Sequence, residues 1–375
     1  MALTITKQPA SNGLYFADSP ILIEMISTQV AQTGFAYKLE VTIWSGGISD
    51  SNSVTYTLRK LPNPENSNRA LFDVSKLIQD QLEHPTAKNF TARVEDIGTG
   101  GIWCKITAKA TWGSSGSEST AGNTWYNTQG YTFMDKERVN ETIAVRDMLM
   151  IRPTDTEVYG STYIPVLRSD FDQVIVTAGS ETHTQTLTAS ATESDTRIQY
   201  VDVYDIFEDE ITGSYDEFKV KLSDGTNESS QYTFYVGCES RFVPIPIMYL
   251  NQYGVIETLF LEKKHVRSRS YERISFKRAH IIDSVDIDMS RKGNTTFNVT
   301  SQVSHVMNTG FLDEAENTMI EQLMISPYIV AKLDDVWRQV VVNDMELQEK
   351  TSRNDRLIQY SISLTEGHKE INIVR

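Results

Sequence analysis

The stretch Ala36–Trp44 reads AYKLEVTIW and alternates apolar with polar side chains along most of its length. Successive side chains of a strand point to opposite faces, so this pattern predicts a strand with one buried and one solvated face. Short runs rich in β-branched and aromatic residues recur on both sides of it, separated by turn residues, and indicate a region of antiparallel strands. The further strands predicted in this region are 3–5, 21–25, 54–58, 91–94 and 102–112.

The composition is that of an ordinary soluble globular protein. The chain has 375 residues, enough for two or three domains, and is 39% hydrophobic, 10% aromatic and 23% charged. Ser, Thr, Asn and Tyr are plentiful, which favours strands and polar turns over long helices. The first residues lack the pattern of a signal peptide, and no apolar run reaches the length of a membrane span, so we expect neither.

These patterns predict a mainly β fold built from several antiparallel β-sandwich or barrel modules. Residues 1–138 are expected to form an N-terminal β-sandwich-like domain. Residues 139–238 have strands at regular spacing and are expected to form a small central β-sandwich. Residues 239–375 are expected to form a C-terminal β domain that contains one capped helix.

A few short helices interrupt the predicted strands. One is expected at about 73–83, and another short helical segment at 203–211. The clearest lies at about 313–325, where Asp313 and Glu316 have the spacing of a capping box.

A run rich in Gly and Ser, residues 113–123, joins the strand at 102–112 to a second strand around Trp125. Such a composition is typical of flexible connections, so we predict a hairpin with a mobile loop over 113–123. Two interpretations remain for this loop: a surface connection, or an arm that becomes ordered against a neighbouring subunit.

Charge is distributed unevenly along the chain. The whole sequence carries −15, which disfavours non-specific binding to nucleic acid or to an anionic membrane. Residues 262–280 hold seven Lys/Arg and two acids, net +5, whereas the remaining 28 basic and 48 acidic residues leave −20. The seven basic residues are the candidate docking residues: Lys263, Lys264, Arg267, Arg269, Arg273, Lys277 and Arg278.

Three interpretations of this basic run stay open. In the first, the run docks on an acidic face of an identical subunit or of another partner. In the second, it is the hydrated outer face of a strand pair. The sequence favours neither of these two over the other. Contact with nucleic acid comes third, because only Tyr271 and Phe276 interleave the charges with aromatic rings.

The sequence has no recognisable catalytic or cofactor-binding motif. It lacks a phosphate-binding loop, a dinucleotide-binding glycine pattern, a nucleophile elbow and a zinc-protease motif. The six histidines are scattered and are interpreted as surface or packing residues. We therefore predict no catalytic residues, no cofactor and no metal, and a protein that is not an enzyme.

Two smaller groups of residues have alternative interpretations. Asp283, Asp286 and Asp288 either share a hard cation or, as we favour, pair with basic residues on a neighbouring strand. Cys104 and Cys238 are far apart in the sequence and are expected to be unpaired thiols of a protein made in a reducing cytoplasm.

The C-terminal third resembles a family of structural proteins. The turn YLNQYG at 249–254 precedes an aromatic-containing strand, a capped helix runs from GFLDE to LMISP over 310–327, and KTSRNDRL follows at 350–357. These motifs are similar to those of virion structural proteins of tailed bacteriophages that infect Bacteroidota, crAss-like phages among them. DSPI at 18–21 and LFDVS at 71–75 resemble the same proteins more weakly.

The resemblance implies a non-enzymatic component of a tail, neck or hub that assembles into a ring by subunit docking. Its partners would be copies of itself and neighbouring tail or neck proteins of the virion, after assembly in the host bacterial cytoplasm. The resemblance carries no catalytic residues to this chain.

The alternative is a carbohydrate-binding or adhesion β-sandwich protein of a phage tail or a cell surface. It would hold sugars through Trp44, Trp112 and Trp125.

Overall fold

The fold is mainly β, as predicted, with 53% of the chain in strands and 10% in helices. The computed structural model describes residues 3–45, 53–83, 86–87, 90–96, 101–131, 149–168, 170–187, 198–237, 241–277, 294–344, 346–351 and 358–373.

The first half of the chain contributes these strands: β1 (Thr4–Lys7), β2 (Leu14–Phe16), β3 (Leu22–Ile26), β4 (Ala36–Trp44), β5 (Val54–Lys60), β6 (Ala70–Asp73), β7 (Val94–Asp96), β8 (Ile102–Trp112), β9 (Gly116–Thr128), β10 (Asp155–Val158), β11 (Tyr163–Leu167), β12 (Gln173–Ala178) and β13 (Glu181–Thr186).

The second half contributes these strands: β14 (Ile198–Asp202), β15 (Glu217–Ser223), β16 (Tyr232–Val236), β17 (Ile245–Leu250), β18 (Ile256–Leu261), β19 (Val266–Lys277), β20 (Asn294–Asn308), β21 (Ile329–Leu333), β22 (Val336–Val342), β23 (Ser361–Glu366) and β24 (Glu370–Ile373). The α-helices are α1 (Ser75–Gln79), α2 (Val203–Glu210) and α3 (Asn317–Ile325).

The chain divides into two compact units. The first consists of Met1–Cys238 and Tyr249–Thr258, and the second of Glu239–Met248 and Leu259–Arg375. The predicted boundary at 238/239 falls where the chain first passes from one unit to the other, and the one at 138/139 lies outside the described residues. The division into three domains stays a prediction.

The N-terminal part of the first unit is a β-sandwich. A three-stranded sheet, β1-β3-β6, faces a five-stranded sheet, β2-β9-β8-β4-β5, and one apolar core contains residues of both. The alternating pattern of Ala36–Trp44 is realised as predicted, because Tyr37, Leu39 and Val41 are fully buried between the sheets. Helix α1 adds Ile78 to the same core. The two sheets bury the apolar faces that the sequence pattern gives them.

The loop predicted over 113–123 is shorter in the structure, and this part of the prediction is wrong. Strand β9 begins at Gly116 and pairs with β8 up to the pair of Gly116 with Trp112. Contacts from elsewhere in the chain hold the Gly/Ser segment as a strand, since the Glu118 carboxylate accepts hydrogen bonds from Leu3 N (3.0 Å) and Ser27 Oγ (3.1 Å). Tertiary contacts therefore override the low strand propensity of this segment.

Two further sheets complete the described part of the first unit. They are the five-stranded β10-β16-β15-β12-β13 and the three-stranded β11-β14-β7. Helix α2, predicted over 203–211, packs Phe207 on Phe218 of β15 with ring centroids 4.7 Å apart. Arg93, next to β7, binds the acidic end of α2 through Asp205, Asp209 and Glu210 at 2.6–2.7 Å.

The turn YLNQYG is held within the first unit by its asparagine. Asn251 Oδ1 accepts hydrogen bonds from Tyr253 N (2.9 Å) and Val255 N (3.3 Å), and its Nδ2 donates to Leu149 O (3.0 Å). Gly254 has φ +72°, and a Cβ there would lie 2.5 Å from the backbone of Gln129. The turn therefore requires both residues at these positions.

One large sheet has the order β18-β17-β21-β22-β23-β20-β19, with β24 paired to β20, and its strands from β19 to β24 lie in the second unit. Residues 313–325 form a 3₁₀ turn, Glu314–Glu316, followed by α3, which confirms the predicted helix. The capping box is also confirmed, since Asp313 N donates to Glu316 Oε2 at 2.9 Å.

The sheets of the described ranges are open, since none of them closes into a barrel, and they are consistent with a multi-sheet β-sandwich. In the same ranges, no helix is long and apolar enough to cross a membrane.

We predict that Gly254→Ala destabilises the protein more than Gly225→Ala. Gly225 also has a positive φ, +82°, but nothing lies within 4 Å of a Cβ added there. Gly225→Ala should lower the free energy of unfolding by about 1 kcal/mol through backbone strain alone. Gly254→Ala should cost roughly a further 1–3 kcal/mol, because the methyl group meets the Gln129 backbone. Denaturant unfolding of the two variants measures the difference, and equal losses would contradict the proposed close packing.

Candidate subunit-docking surface

The seven candidate docking residues occupy three places in the second unit. Arg267, Arg269 and Arg273 lie on β19, and Lys277 is the last residue of that strand. Lys263 and Lys264 lie in the connection between β18 and β19. Arg278 lies outside the described residues.

Strand alternation places three of these arginines on one face. Arg267, Arg269 and Arg273 are separated by even numbers of residues, so their side chains share a face with that of Tyr271. Their cross-strand partners on β20 include His305, which lies directly opposite Arg267. The sequence therefore encodes a basic stripe that is recognisable only once the strand is known.

Strand β19 is exposed along its whole described length. It lies at the end of its sheet, pairs with β20 on one side, and is exposed at every position from Val266 to Phe276. Large apolar side chains are among these residues: Tyr271 is 58% exposed and Ile274 47%. An edge strand that is long, exposed and partly apolar is a template for pairing with another chain.

Two of the basic residues also have partners within the unit. Lys263 Nζ lies 2.9 Å from Glu262 Oε1 and 5.4 Å from the ring centre of Phe311. Arg267 lies 3.4 Å from Asp334 Oδ2 and 3.8 Å from Glu366 Oε1. These contacts give Lys263 and Arg267 a structural role, whereas Lys264 and Arg273 project from exposed positions.

A cluster of two histidines and a glutamate lies at the start of the β19–β20 pair, with His305 and Glu366 buried and His265 exposed. His305 is 2% exposed, and its Nε2 lies 2.9 Å from Glu366 Oε1. Its other nitrogen, Nδ1, lies 2.7 Å from Nε2 of His265. Arg338 adds an ion pair to Glu366 Oε2 at 2.9 Å. Four strands, β19, β20, β22 and β23, meet at this point.

The geometry of the cluster limits its protonation. When Nε2–H of His305 donates a hydrogen bond to the ionised carboxylate of Glu366, Nδ1 of the neutral His305 ring is left as an acceptor. It then accepts a hydrogen bond from Nε2–H of His265.

The pKa values of two members are lowered. Burial lowers the pKa of His265, and His305 and Arg267 add to the effect while Asp334 opposes it. Burial by itself raises the pKa of Glu366, but hydrogen bonds from His305 and Arg338 and the charge of Arg338 bring it below its ordinary value. The folded state therefore favours a neutral His265 and an ionised Glu366.

The sequence did not reveal this cluster. His265 and His305 are 40 positions apart, and no metal-ligand spacing links them. The sequence interpretation took both histidines as surface or packing residues. His265 is indeed at the surface and His305 is packed inside, but the interpretation misses the contact between them. The one signal that could have found them is the pairing of β19 with β20, which sequence alone does not supply.

The other sequence candidates do not form a site in the described structure. Asp283, Asp286 and Asp288 lie outside the described residues, as does Cys238, while Cys104 is a buried free thiol whose pKa is raised by burial. Within the described ranges, no group of three His, Cys, Asp or Glu side chains could hold a metal ion.

The tryptophans of the carbohydrate-binding alternative pack in the first sandwich. Trp125 is fully buried and donates from Nε1 to Asn127 Oδ1 at 2.8 Å, and Trp44 is also buried. Trp112 is partly buried and stacks on Phe35 with ring centroids 6.2 Å apart. Neither Trp44 nor Trp125 has a ring face open to a sugar.

We predict that acidification below about pH 6.5 destabilises the protein through His265. A histidine whose folded pKa is lowered binds fewer protons in the folded state than in the unfolded state. Its contribution to stability is therefore lost as the pH falls below its ordinary pKa of 6.5, and Glu366 adds a further loss below 4.5. Denaturant unfolding at intervals of roughly one pH unit between pH 8 and 4 measures how the free energy of unfolding depends on pH.

The matched variants for this experiment are His265→Gln and His368→Gln. His265→Gln should flatten the slope below pH 6.5, whereas replacement of the exposed His368 should leave it unchanged. An unchanged slope in His265→Gln would show that the histidine pair does not carry the effect.

Comparison of the sequence with models of known protein families and with curated proteins finds no match. The residues and geometry of the second unit therefore supply the structural indication of function. Its most distinctive surface is the exposed β19 edge with its basic stripe.

Proposed function

We propose that the protein is a non-enzymatic structural component of a tailed-phage virion that forms part of an oligomeric tail or neck ring or hub. In this role, the basic stripe of one subunit docks on acidic surface of the next. Its other partners are neighbouring tail or neck proteins, and its place is the virion, after assembly in the bacterial cytoplasm. The virion assignment rests on the sequence motifs, and the docking rests on the structure of β19.

The observation that carries the docking proposal is the combination of exposure, length and charge at β19. The strand has 12 residues, lies at a sheet edge, and presents Arg267, Arg269 and Arg273 on one face. A hydrated surface would explain the charges, but it does not explain the exposed apolar side chains beside them. Burial of Tyr271 and Ile274 against a partner removes apolar surface from water and favours association.

Charge complementarity favours a second copy as the partner. Residues 262–280 carry +5 and the rest of the chain −20, so any other region of a second copy is on average acidic. Opposite charges steer such an encounter and disfavour wrong partners. Because the docking surface and its acceptor differ, the contact is head-to-tail and generates a ring where the rotation closes.

We predict that Lys264→Glu/Arg273→Glu abolishes self-assembly without unfolding the protomer. Both side chains are exposed, so reversal of their charge replaces attraction by repulsion at little cost in stability. The expected result is a shift from higher oligomers to monomer in light scattering and electron microscopy, with an unchanged melting temperature. Arg267 is left intact because it binds Asp334 and Glu366.

The matched control is Lys38→Glu/Arg59→Glu. These two residues lie opposite each other on β4 and β5, so the control changes the net charge equally in the other unit. The docking proposal would be contradicted if the β19 variant still assembled. It would also be contradicted if the wild-type protein stayed monomeric at all concentrations and in its particle. Salt-dependent binding of DNA that only the β19 reversal removes would instead support nucleic acid as the partner.

A further inference from the structure

We infer that the outer edge of β19 adds to the edge of β10 in the next copy, so that the two copies share a continued sheet. This inference rests on the proposed docking function and names the acceptor surface. In this contact β19 contributes its outward backbone N–H and C=O groups as well as its charged side chains. It also predicts which acidic residues the arginines meet.

The backbone of β19 has an outward set of hydrogen-bonding groups. Ser268 lies opposite Ser304 of β20, and its Oγ lies 3.4 Å from Ser304 O, so this carbonyl points toward β19. Opposite residues of an antiparallel pair either exchange both backbone bonds or neither, and the two kinds alternate. The N–H and C=O groups of Tyr271 and Arg273 therefore point to the outer edge, where the described part of the chain places no strand.

Strand β10 has the complementary edge. It lies at the end of the sheet β10-β16-β15-β12-β13 and is paired on one side with β16. Asp155 and Glu157 are exposed, whereas Thr156 and Val158 are buried, so the two carboxylates share the solvent face. The strand thus presents an edge with two acids on one side and apolar packing on the other.

Among the edge strands that the structure describes, β10 is distinguished by this pair of acids. Each of β1, β2, β5, β6, β11, β13 and β18 carries at most one carboxylate, and β5 carries Arg59 and Lys60. Glu95 and Asp96 of β7 are consecutive and so belong to opposite faces. The charge of the β19 stripe therefore matches β10 better than any other described edge.

The spacing of the charges also matches. Asp155 and Glu157 share one face of β10, as Arg269 and Arg273 share one face of β19. When one arginine lies opposite one carboxylate, the other arginine can lie diagonal to the second carboxylate. In paired strands, directly opposite side chains lie about 5 Å apart at Cβ, so such sets meet as cross-strand ion pairs. Two β19 edges would instead place arginines against each other, which disfavours the symmetric alternative.

The decisive experiment mixes two charge-reversed variants. One is Arg269→Glu/Arg273→Glu, which leaves only Arg267 of the stripe, and Arg267 is already paired with Asp334 and Glu366. The other is Asp155→Lys/Glu157→Lys. Each has two edges of the same sign and should remain monomeric alone. Mixed in equal amounts, each variant offers the edge that the other lacks, so assemblies with alternating subunits should form and be restored to near the wild-type fraction in light scattering.

The outcomes separate this inference from the docking proposal. Loss of assembly in the β19 variant without rescue by the β10 variant would overturn β10 as the acceptor and leave docking intact. Normal assembly of the β19 variant would overturn both. The control Glu65→Lys/Glu83→Lys reverses two exposed acids elsewhere in the first unit and should neither block assembly nor rescue it.

A second pair of variants tests the backbone contact. Tyr271→Pro removes an outward N–H, which an edge strand tolerates, whereas Tyr271→Ala removes the ring and keeps the N–H. Strand addition requires that the proline variant assemble at least tenfold more weakly than the alanine variant, with similar melting temperatures. Equal assembly of the two would show that side chains alone make the contact and would overturn strand addition.

Discussion

The hydrogen-bond register of β19 against β20 is the constraint on which the second unit's surface depends. A shift by one residue would turn every β19 side chain to the other face of the sheet. Arg267 would then leave His305 and Glu366, and the arginine stripe would exchange places with Val266, Ser268 and Ser270. The contact of His265, His305 and Glu366 opposes such a shift, because it joins the residue just before β19 to residues of β20 and β23. The register of β19 against β20 therefore determines both the His265–His305–Glu366 cluster and the arginine stripe.

Local sequence patterns correctly predicted the elements that depend mainly on residues close together in the chain. The alternation in Ala36–Trp44 and the capping box of Asp313 and Glu316 both appear in the structure, because each depends on near neighbours in the chain. The basic run was recognised by composition, but its division between structural and exposed residues was not. That division depends on Asp334, Glu366 and Phe311, which approach it only in the folded chain.

The failures have the same physical origin. Gly116–Thr128 forms a strand because Glu118 binds two distant groups, and composition alone cannot indicate such partners. The strand β7 pairs with β14, about 100 residues later, and the local pattern does not indicate such a pairing. The histidine pair also joins distant positions. In a fold dominated by pairing between distant strands, these long-range contacts decide what the local pattern leaves open.

The two unlike edges, β10 and β19, give any assembly built on them a direction. A row of copies would end in an acidic edge on one side and a basic edge on the other, so growth at its two ends would involve different surfaces. A closed ring has no ends and leaves neither edge exposed, whereas an open row keeps one of each. Another protein with a single basic or acidic edge strand would therefore cap one end selectively and determine where growth stops.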